Sequence, residues 1–318
     1  MDNKTFRKRY HIGYLKYYTN AVAGRLIKRE IFGIHTKRKI AAAEEGNQWL
    51  YEKIMEGKPF VAGRFGGTEL KTICDVLYTK AGGKAGGVSE RTAERIAMLS
   101  GFFPQDKELL YPFQELYMEC CPEIDALGMW NIVLQGEIAD EYLPQAKLFE
   151  LRMFEPYYFI QPWTRALEGK RVLVIHPFAD TIESQFKKRE HLFRDSNVLP
   201  EFEICTLKAV QTLAGEKDER FQDWFEALEY MYQEALKKEF DVALIGCGAY
   251  GLPLSVKLKK VGKMAVHVGG ALQLLFGIKG KRWDEHEVIS KLYNEYWVRP
   301  GENEKMREAG KVEGGCYW

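Results

Sequence analysis

The sequence predicts an α/β fold: a Rossmann-like, mostly parallel sheet with helices on both faces, preceded by a basic helical segment. Three observations carry this. From Val172 onward, short apolar runs rich in β-branched residues alternate with amphipathic stretches, in the order strand, helix, strand, helix, strand, helix, strand. After their first, charged residue (Arg171 and Asp241) the runs at 171–175 and 241–245 are continuously apolar rather than alternating, as strands buried on both faces are. Glycines gather where those runs end, at Gly66–Gly67, Gly246–Gly251 and Gly269–Gly270, which is the composition of tight βα turns.

The 318 residues, 46% of them hydrophobic, are enough for one large domain or two small ones. The net charge of +1 argues against nucleic-acid binding through overall charge. The six cysteines (Cys74, Cys120, Cys121, Cys205, Cys247, Cys316) form no C-x-x-C pair and mostly sit in apolar runs, as reduced thiols of a cytosolic protein do. No apolar run approaches membrane-spanning length, and no signal-peptide pattern is present. The expected organisation is a basic segment over 1–40 and an α/β body over 41–318. If the body divides, it does so near 161–170.

Residues 1–40 carry eleven lysines and arginines against Asp2 and Glu30, an excess of nine positive charges, interleaved with Phe6, Tyr10, Tyr14, Tyr17 and Tyr18. Such a segment suits an anionic membrane surface, a polyanionic partner, or a solvated helix packed on the body. A helix follows at 41–56, with Trp49, Leu50 and Ile54 on its apolar side. Then come a strand at 60–62, a helix at 69–78 and a flexible glycine loop at 81–87. Ser89 caps a helix through Leu99, and another helix covers 106–121. A strand is expected at 126–134 with Trp130 and Asn131 at its tip. Glu155-Pro156-Tyr157-Tyr158 suits sugar binding and suits a packed aromatic edge equally. The strand at 171–175 leads to His176 and a helix reaching Phe193, capped by Asp180, Thr181 or Ser184. Strands at 202–207, 241–245 and 264–268 follow, separated by helices at 221–238 and from Leu252 to Val261, where Gly262 acts as a C-cap. The aromatic tail from Trp297 to Trp318 is expected to dock on the body.

Two turns hold the candidate chemistry. Gly246-x-Gly248-x-x-Gly251 joins a strand to a helix and points backbone N–H groups at one spot, which suits a phosphate or diphosphate. The spacing also matches the dinucleotide fingerprint, yet the second strand ends in His267, Val268 and Gly269 without the ribose-binding carboxylate. The alternative is a turn that needs glycine only for its backbone angles. The earlier turn, Arg64 to Glu69, places a cation and a carboxylate around paired glycines. That is a site, or else an Arg–Glu ion pair with a first-turn carboxylate favoured by the helix dipole. His176, at a strand's carboxyl end, lies where α/β sheets keep ligands, although a satisfied core histidine would look the same. Lys279, Lys281 and Arg282 either add charge near a diphosphate or form a solvated loop.

The two turns together resemble a family. Arg64-Phe65-Gly66-Gly67-Thr68-Glu69-Leu70 is similar to the R-x-G-D-G-E-L signature of GT-D fold glycosyltransferases. The stretch from Gly246 to Gly270 resembles their second signature, a glycine turn, a helix, and a strand ending in D-x-G-H. The likeness covers the order and spacing of both motifs over roughly 45–280, and neither the basic segment nor the tail.

The resemblance implies transfer of a sugar from a nucleotide-sugar donor, commonly a UDP-sugar, to a glycan or lipid-linked glycan acceptor in bacterial surface-polysaccharide assembly. It also implies a divalent metal, Mn²⁺ or Mg²⁺, beside a D-x-E element. Gly67 stands where that Asp is expected and Thr68 where the next Gly is, which leaves Glu69. On this reading Arg64, Gly66, Gly67, Thr68, Gly246, Gly248, Ala249, Tyr250, Gly251, His267, Gly269, Gly270 and Lys281 face the donor. Glu69, an exposed carboxylate kept ionised by the helix dipole, holds the metal or acts as base, with Asp180 and His176 in reserve. The expected location is the cytoplasm, at or near the inner face of the membrane. The alternatives are an NAD-type oxidoreductase using the glycine turn and a non-catalytic scaffold of a polysaccharide locus.

Overall fold

Among the described residues, seven parallel strands form one sheet in the order β3-β2-β1-β7-β6-β4-β5. They are β1 (Phe60–Gly63), β2 (Ala126–Met129), β3 (Lys147–Glu150), β4 (Arg171–His176), β5 (Glu203–Lys208), β6 (Val242–Ile245) and β7 (Met264–His267). The structure is a computed structural model that describes residues 2–27, 36–306, 310 and 314–318. Lys28 and Arg29 of the basic segment fall outside the described residues.

The strand residues alternate cleanly between two cores. Val61, Leu127, Leu148, Leu173, Ile175, Ala243, Ile245 and Ala265 face one layer of helices. Phe60, Ala62, Ala126, Phe149, Val172, Val174, Val242, Leu244, Met264 and Val266 face the other. Burial on both faces is what makes these runs continuously apolar in the sequence. Each fully buried Leu, Ile or Phe in these layers contributes roughly 1.5–3 kcal/mol.

The first layer holds α3 (Gly67–Lys80), α4 (Glu90–Ser100), α5 (Leu110–Cys120), α6 (Gln135–Tyr142), α9 (Trp224–Leu236) and α10 (Gly251–Lys260). The second holds α2 (Ala43–Glu56), α7 (Ala179–Phe186), α8 (Arg189–Leu192) and α11 (Leu272–Leu275), together with tail residues Trp283 and Trp297. The chain therefore leaves β1 and β6 toward the first layer, and their neighbours β7 and β4 toward the second. At such reversals the carboxyl ends of adjacent strands open into a crevice, where parallel sheets place ligands.

Several elements differ from the sequence expectation. Strand β3 was not expected: its outer residues Lys147 and Glu150 are exposed, so only Leu148 and Phe149 carry an apolar signal. Strand β2 stops at Met129 rather than Leu134. The Gln135 side chain accepts from the Trp130 N–H (3.0 Å) and donates to the Gly128 carbonyl (3.2 Å), which turns the chain into α6. The helix expected to reach Phe193 is split into α7 and α8. Its N-terminus is held by the buried Glu304, which accepts from the N–H groups of Asp180 (2.8 Å) and Thr181 (3.2 Å), and not by Asp180, Thr181 or Ser184. At 161–170, Trp163 and Leu167 are fully buried against the second layer.

The basic segment forms α1 (Asn3–Ile27), packed on α3. Phe6 is buried, and the Tyr10 ring stacks on Tyr78 with centroids 4.1 Å apart. Asp75, itself buried, accepts hydrogen bonds from Tyr10 (2.6 Å) and Tyr14 (3.5 Å) and pairs with Lys71 and Arg95. A buried carboxylate with this many partners fixes the rotation of α1 about its own axis.

Candidate active site

The carboxyl ends of β1, β2, β4, β6 and β7 surround a cleft of about 1020 Å³. Strand β1 delivers the chain to Arg64, and Phe65, wholly buried, pins the turn that follows. The carbonyl of Phe65 accepts from the Trp130 indole (3.0 Å) and from Arg64 Nε (3.3 Å), and the Arg64 guanidinium lies 4.5 Å from the Trp130 ring centroid. Stacking on an aromatic face suits a weakly hydrated guanidinium. Gly269, at φ +79°, brings the end of β7 against the same side chain: a Cβ there would lie 3.4 Å from Arg64 Cδ.

Glu69 is the third residue of α3, and its carboxylate folds back over Gly66, the N-cap. Its expected exposure is corrected by the structure. Glu69 is only 7% exposed. Burial raises its pKa above the ordinary carboxylate value, against the opposing pull of its own backbone N–H, Arg64 and Ser100. In a position closed to water, desolvation outweighs the helix dipole. Burial likewise lowers the pKa of Arg64; Tyr317, Glu69 and Glu155 act in the other direction, and an arginine so placed remains a cation.

Glu155 lines the same cleft, and burial pushes its carboxyl up to about 7 despite Arg152 and Arg64 nearby. From the sequence, Glu155 with its tyrosines suits sugar binding and a packed aromatic edge equally, since nothing in its local spacing separates a cleft carboxylate from a packed edge. His176 reaches the cleft from β4. Its Nδ1 accepts from the Phe178 N–H (3.0 Å), which places the ring proton on Nε2, and burial lowers its pKa to about 3. It is therefore a neutral donor at neutral pH and not the reserve base expected from sequence. His267 is likewise neutral, lowered to about 3 by burial and by Arg64.

Arg64, Gly66, Gly67, Thr68, Glu69, His176, Gly246, Gly248, His267, Gly269 and Gly270 all border the cleft. Five expected residues do not. Asp180 is exposed and pairs with Lys208 (3.0 Å). Lys281 is exposed and donates to the Gly314 carbonyl, while its neighbour Arg282 lines the cleft instead. Ala249 is buried, and its carbonyl accepts from the Tyr117 hydroxyl (2.7 Å). Tyr250 is buried and stacks on Trp224, with centroids 4.7 Å apart. Gly251 opens α10 with the His267 ring where a Cβ would stand.

The glycine fingerprint therefore divides by function. A Cβ on Gly246 would lie 2.7 Å from His176 Cδ2 and 2.8 Å from the Gly269 carbonyl, so Gly246, like Gly251, is required by packing. Gly248 has φ +58°, borders the cleft, and has no heavy atom closer than 4.0 Å to its would-be Cβ. It is the position where a ligand can approach the backbone.

Sequence reasoning missed the cleft walls contributed from far along the chain. Tyr14, Tyr17 and Tyr18 of α1 form one wall. Tyr317 and Trp318 of the tail form another, with Tyr317 packed on Gly270 and its carbonyl accepting from Gln273 Nε2 (3.1 Å).

A protein-held divalent cation fits this donor set poorly. Glu69 is the one carboxylate of the turn, is folded onto Gly66 and shares its surroundings with a guanidinium. Among the described residues no three His, Cys, Asp or Glu side chains gather as a ligand group.

No protein-family model and no curated protein matches the chain. A solved structure described as the highly conserved domain of unknown function 1792, with a distinct glycosyltransferase fold, is similar to it at 14% identity over 73% of this chain and 78% of that one, with a TM-score of 0.40.

Proposed function

We propose that the protein is a glycosyltransferase that takes a sugar from a nucleotide-sugar donor, a UDP-sugar, and passes it to a glycan hydroxyl. The observation that carries the reading is the convergence of the Arg64–Glu69 turn, Gly248 and Gly269–Gly270 on one cleft at the reversal between β1 and β7. A diphosphate there meets open backbone at Gly248 and the Arg64 guanidinium, which stabilises the charge that develops as the nucleoside diphosphate departs. Arg64 is half-buried and held by Trp130, so little reorganisation is needed at the moment of reaction.

Glu155 supplies the base that takes the proton of the acceptor hydroxyl, because a general base works best with a pKa near the working pH. Glu69 lies within electrostatic reach of the guanidinium and helps to offset its charge. His176, through Nε2–H, donates to a substrate oxygen.

Calorimetric titration with UDP and with NAD, together with an assay of donor hydrolysis, tests this. The expected result is saturable UDP binding, no NAD binding, and slow release of sugar from the donor. Binding of NAD in place of UDP would assign the glycine turn to a dinucleotide and end the proposal.

A further inference from the structure

Helix α1 carries two apolar rows, and among the described residues only one is covered. Phe6, Tyr10 and Tyr14 pack on α3. Beside that face, Ile12, Leu15, Tyr18 and Val22 stand 41%, 67%, 57% and 57% exposed. Their spacing of three, three and four residues makes one continuous stripe along the helix. Other exposed apolar side chains, such as Met55, Ile160 and Leu236, are isolated on separate elements. Isolated ones need no explanation, whereas a stripe marks a contact surface.

The stripe is bordered by exposed Lys4, Lys8 and Lys16, within a segment carrying the nine-charge excess. No helix among the described residues, α1 included, is long and apolar enough to cross a bilayer. An apolar stripe flanked by lysines on a helix that does not span suits contact with an anionic lipid surface. A second copy of the chain fits less well, because a two-fold contact through this face would bring its lysines together.

The stripe also runs into the cleft. Tyr18 and Val22 belong to both, and Leu99, 36% exposed on α4, extends the same rim.

We propose that α1 lies in an anionic lipid leaflet with the cleft mouth against it, and that the acceptor is therefore lipid-anchored, passing along Tyr18 and Val22 to the site. The choice of acceptor rests on the glycosyl-transfer reading; the membrane contact does not.

The first experiment is sedimentation of the full chain with vesicles of phosphatidylcholine alone or mixed with phosphatidylglycerol. Binding is expected only to the anionic vesicles, and weaker at high salt as screening sets in. Ile12→Glu with Leu15→Glu, neither of which borders the cleft, should weaken partitioning by at least about tenfold. Lys8→Glu with Lys16→Glu should do so by a similar factor. Protein that stays in the supernatant with anionic vesicles at low salt overturns the membrane contact. So does a self-association that Leu15→Glu abolishes in protein that ignores vesicles.

The second experiment compares transfer onto a polyprenyl-diphosphate-linked sugar in anionic vesicles with transfer onto the same sugar without lipid. A preference of at least about tenfold for the lipid form is expected from the added local concentration, and equal rates overturn the acceptor assignment. Failure to bind UDP would end the transferase reading while leaving the sedimentation result, which needs no donor, standing.

Discussion

The carboxylate of Glu69 occupies the space above the α-carbon of Gly66, so that any Cβ on residue 66 would overlap Oε2. The glycine of this turn is thus a seat for the carboxylate rather than a hinge. Gly66 has φ −74° and ψ 148°, angles open to any residue, so the side chain of Glu69 and not the backbone demands glycine there.

Gly66→Ala should therefore act like a displaced Glu69. The methyl group pushes the carboxylate off its seat without straining the backbone. Turnover is expected to fall by about one to two orders of magnitude, with UDP affinity changed less than about threefold. Near-native turnover in a folded Gly66→Ala protein would show that the position of Glu69 does not matter. Glu69→Gln, which keeps shape and removes charge, should lower turnover by about tenfold to a hundredfold. It should leave thermal stability equal or higher, since a buried carboxylate is exchanged for a neutral amide.

Glu155 gives a pH signature. With its carboxyl raised to about 7, the base is inactive when protonated, so turnover should rise through pH 7 and level off above it. Glu155→Gln should abolish that limb and reduce the plateau by about two orders of magnitude. The linkage runs the opposite way for stability. The native state holds a proton that the unfolded chain releases between the ordinary carboxylate pKa and 7, so this group favours folding at low pH and its contribution is lost as pH rises through 7. Glu155→Gln should be more stable than the parent at pH 8, by about 1–3 kcal/mol, and similar to it at pH 4. A thermal melt at both pH values checks this, and an unchanged difference between them would remove Glu155 as a shifted group.

Gly248 is the fingerprint glycine left open to a ligand. Its φ of +58° would strain a β-branched side chain, so valine confounds folding with binding. Asparagine tolerates this conformation. Gly248→Asn should fold and lose at least about tenfold in UDP affinity, because the added side chain stands where the phosphate approaches. Gly246→Ala, pressed against His176 and the Gly269 carbonyl, should instead lower stability by roughly 1–3 kcal/mol. Undiminished UDP binding by Gly248→Asn would move the diphosphate elsewhere in the cleft.

What the sequence disclosed follows from which signals are local. Strands β1, β4, β6 and β7 were readable because both faces are buried, so each residue of the run reports its own environment. Edge strand β3 buries two residues and shows no such run. The glycine turns were readable, yet whether a glycine serves a ligand or a packed neighbour depends on residues that pack against it from outside its own turn, such as His176 against Gly246. Lys281 and Arg282 are adjacent in a short turn, and spacing alone could not say which side chain turns inward. Glu155, Tyr14 and Tyr317 reach the cleft by tertiary packing of segments with no motif. The exposure expected of Glu69 failed because position on a helix is legible in a sequence and burial of a polar side chain is not.

Arg64 unites the electrostatics of the cleft. Its guanidinium pulls the pKa values of both Glu69 and Glu155 downward, while burial raises them. Arg64→Met keeps length and apolar contact with Trp130 and removes the charge. Turnover should fall by about two to three orders of magnitude, the scale of one lost electrostatic contribution to a departing oxyanion. Two carboxylates then remain in the cleft without their cation, and both should hold protons to higher pH. The rising limb of the pH–rate profile, centred near 7 in the parent, should move alkaline. Stability relative to the parent should decline as pH rises, because carboxyls whose folded pKa values are raised favour folding only while protonated. Arg64→Lys restores the charge but neither the planar stack on Trp130 nor the forked donors, so it should recover the pH profile more fully than the rate. An Arg64→Met protein with an unmoved pH limb would separate Arg64 from Glu155, and one with near-native turnover would remove the diphosphate from this end of the cleft.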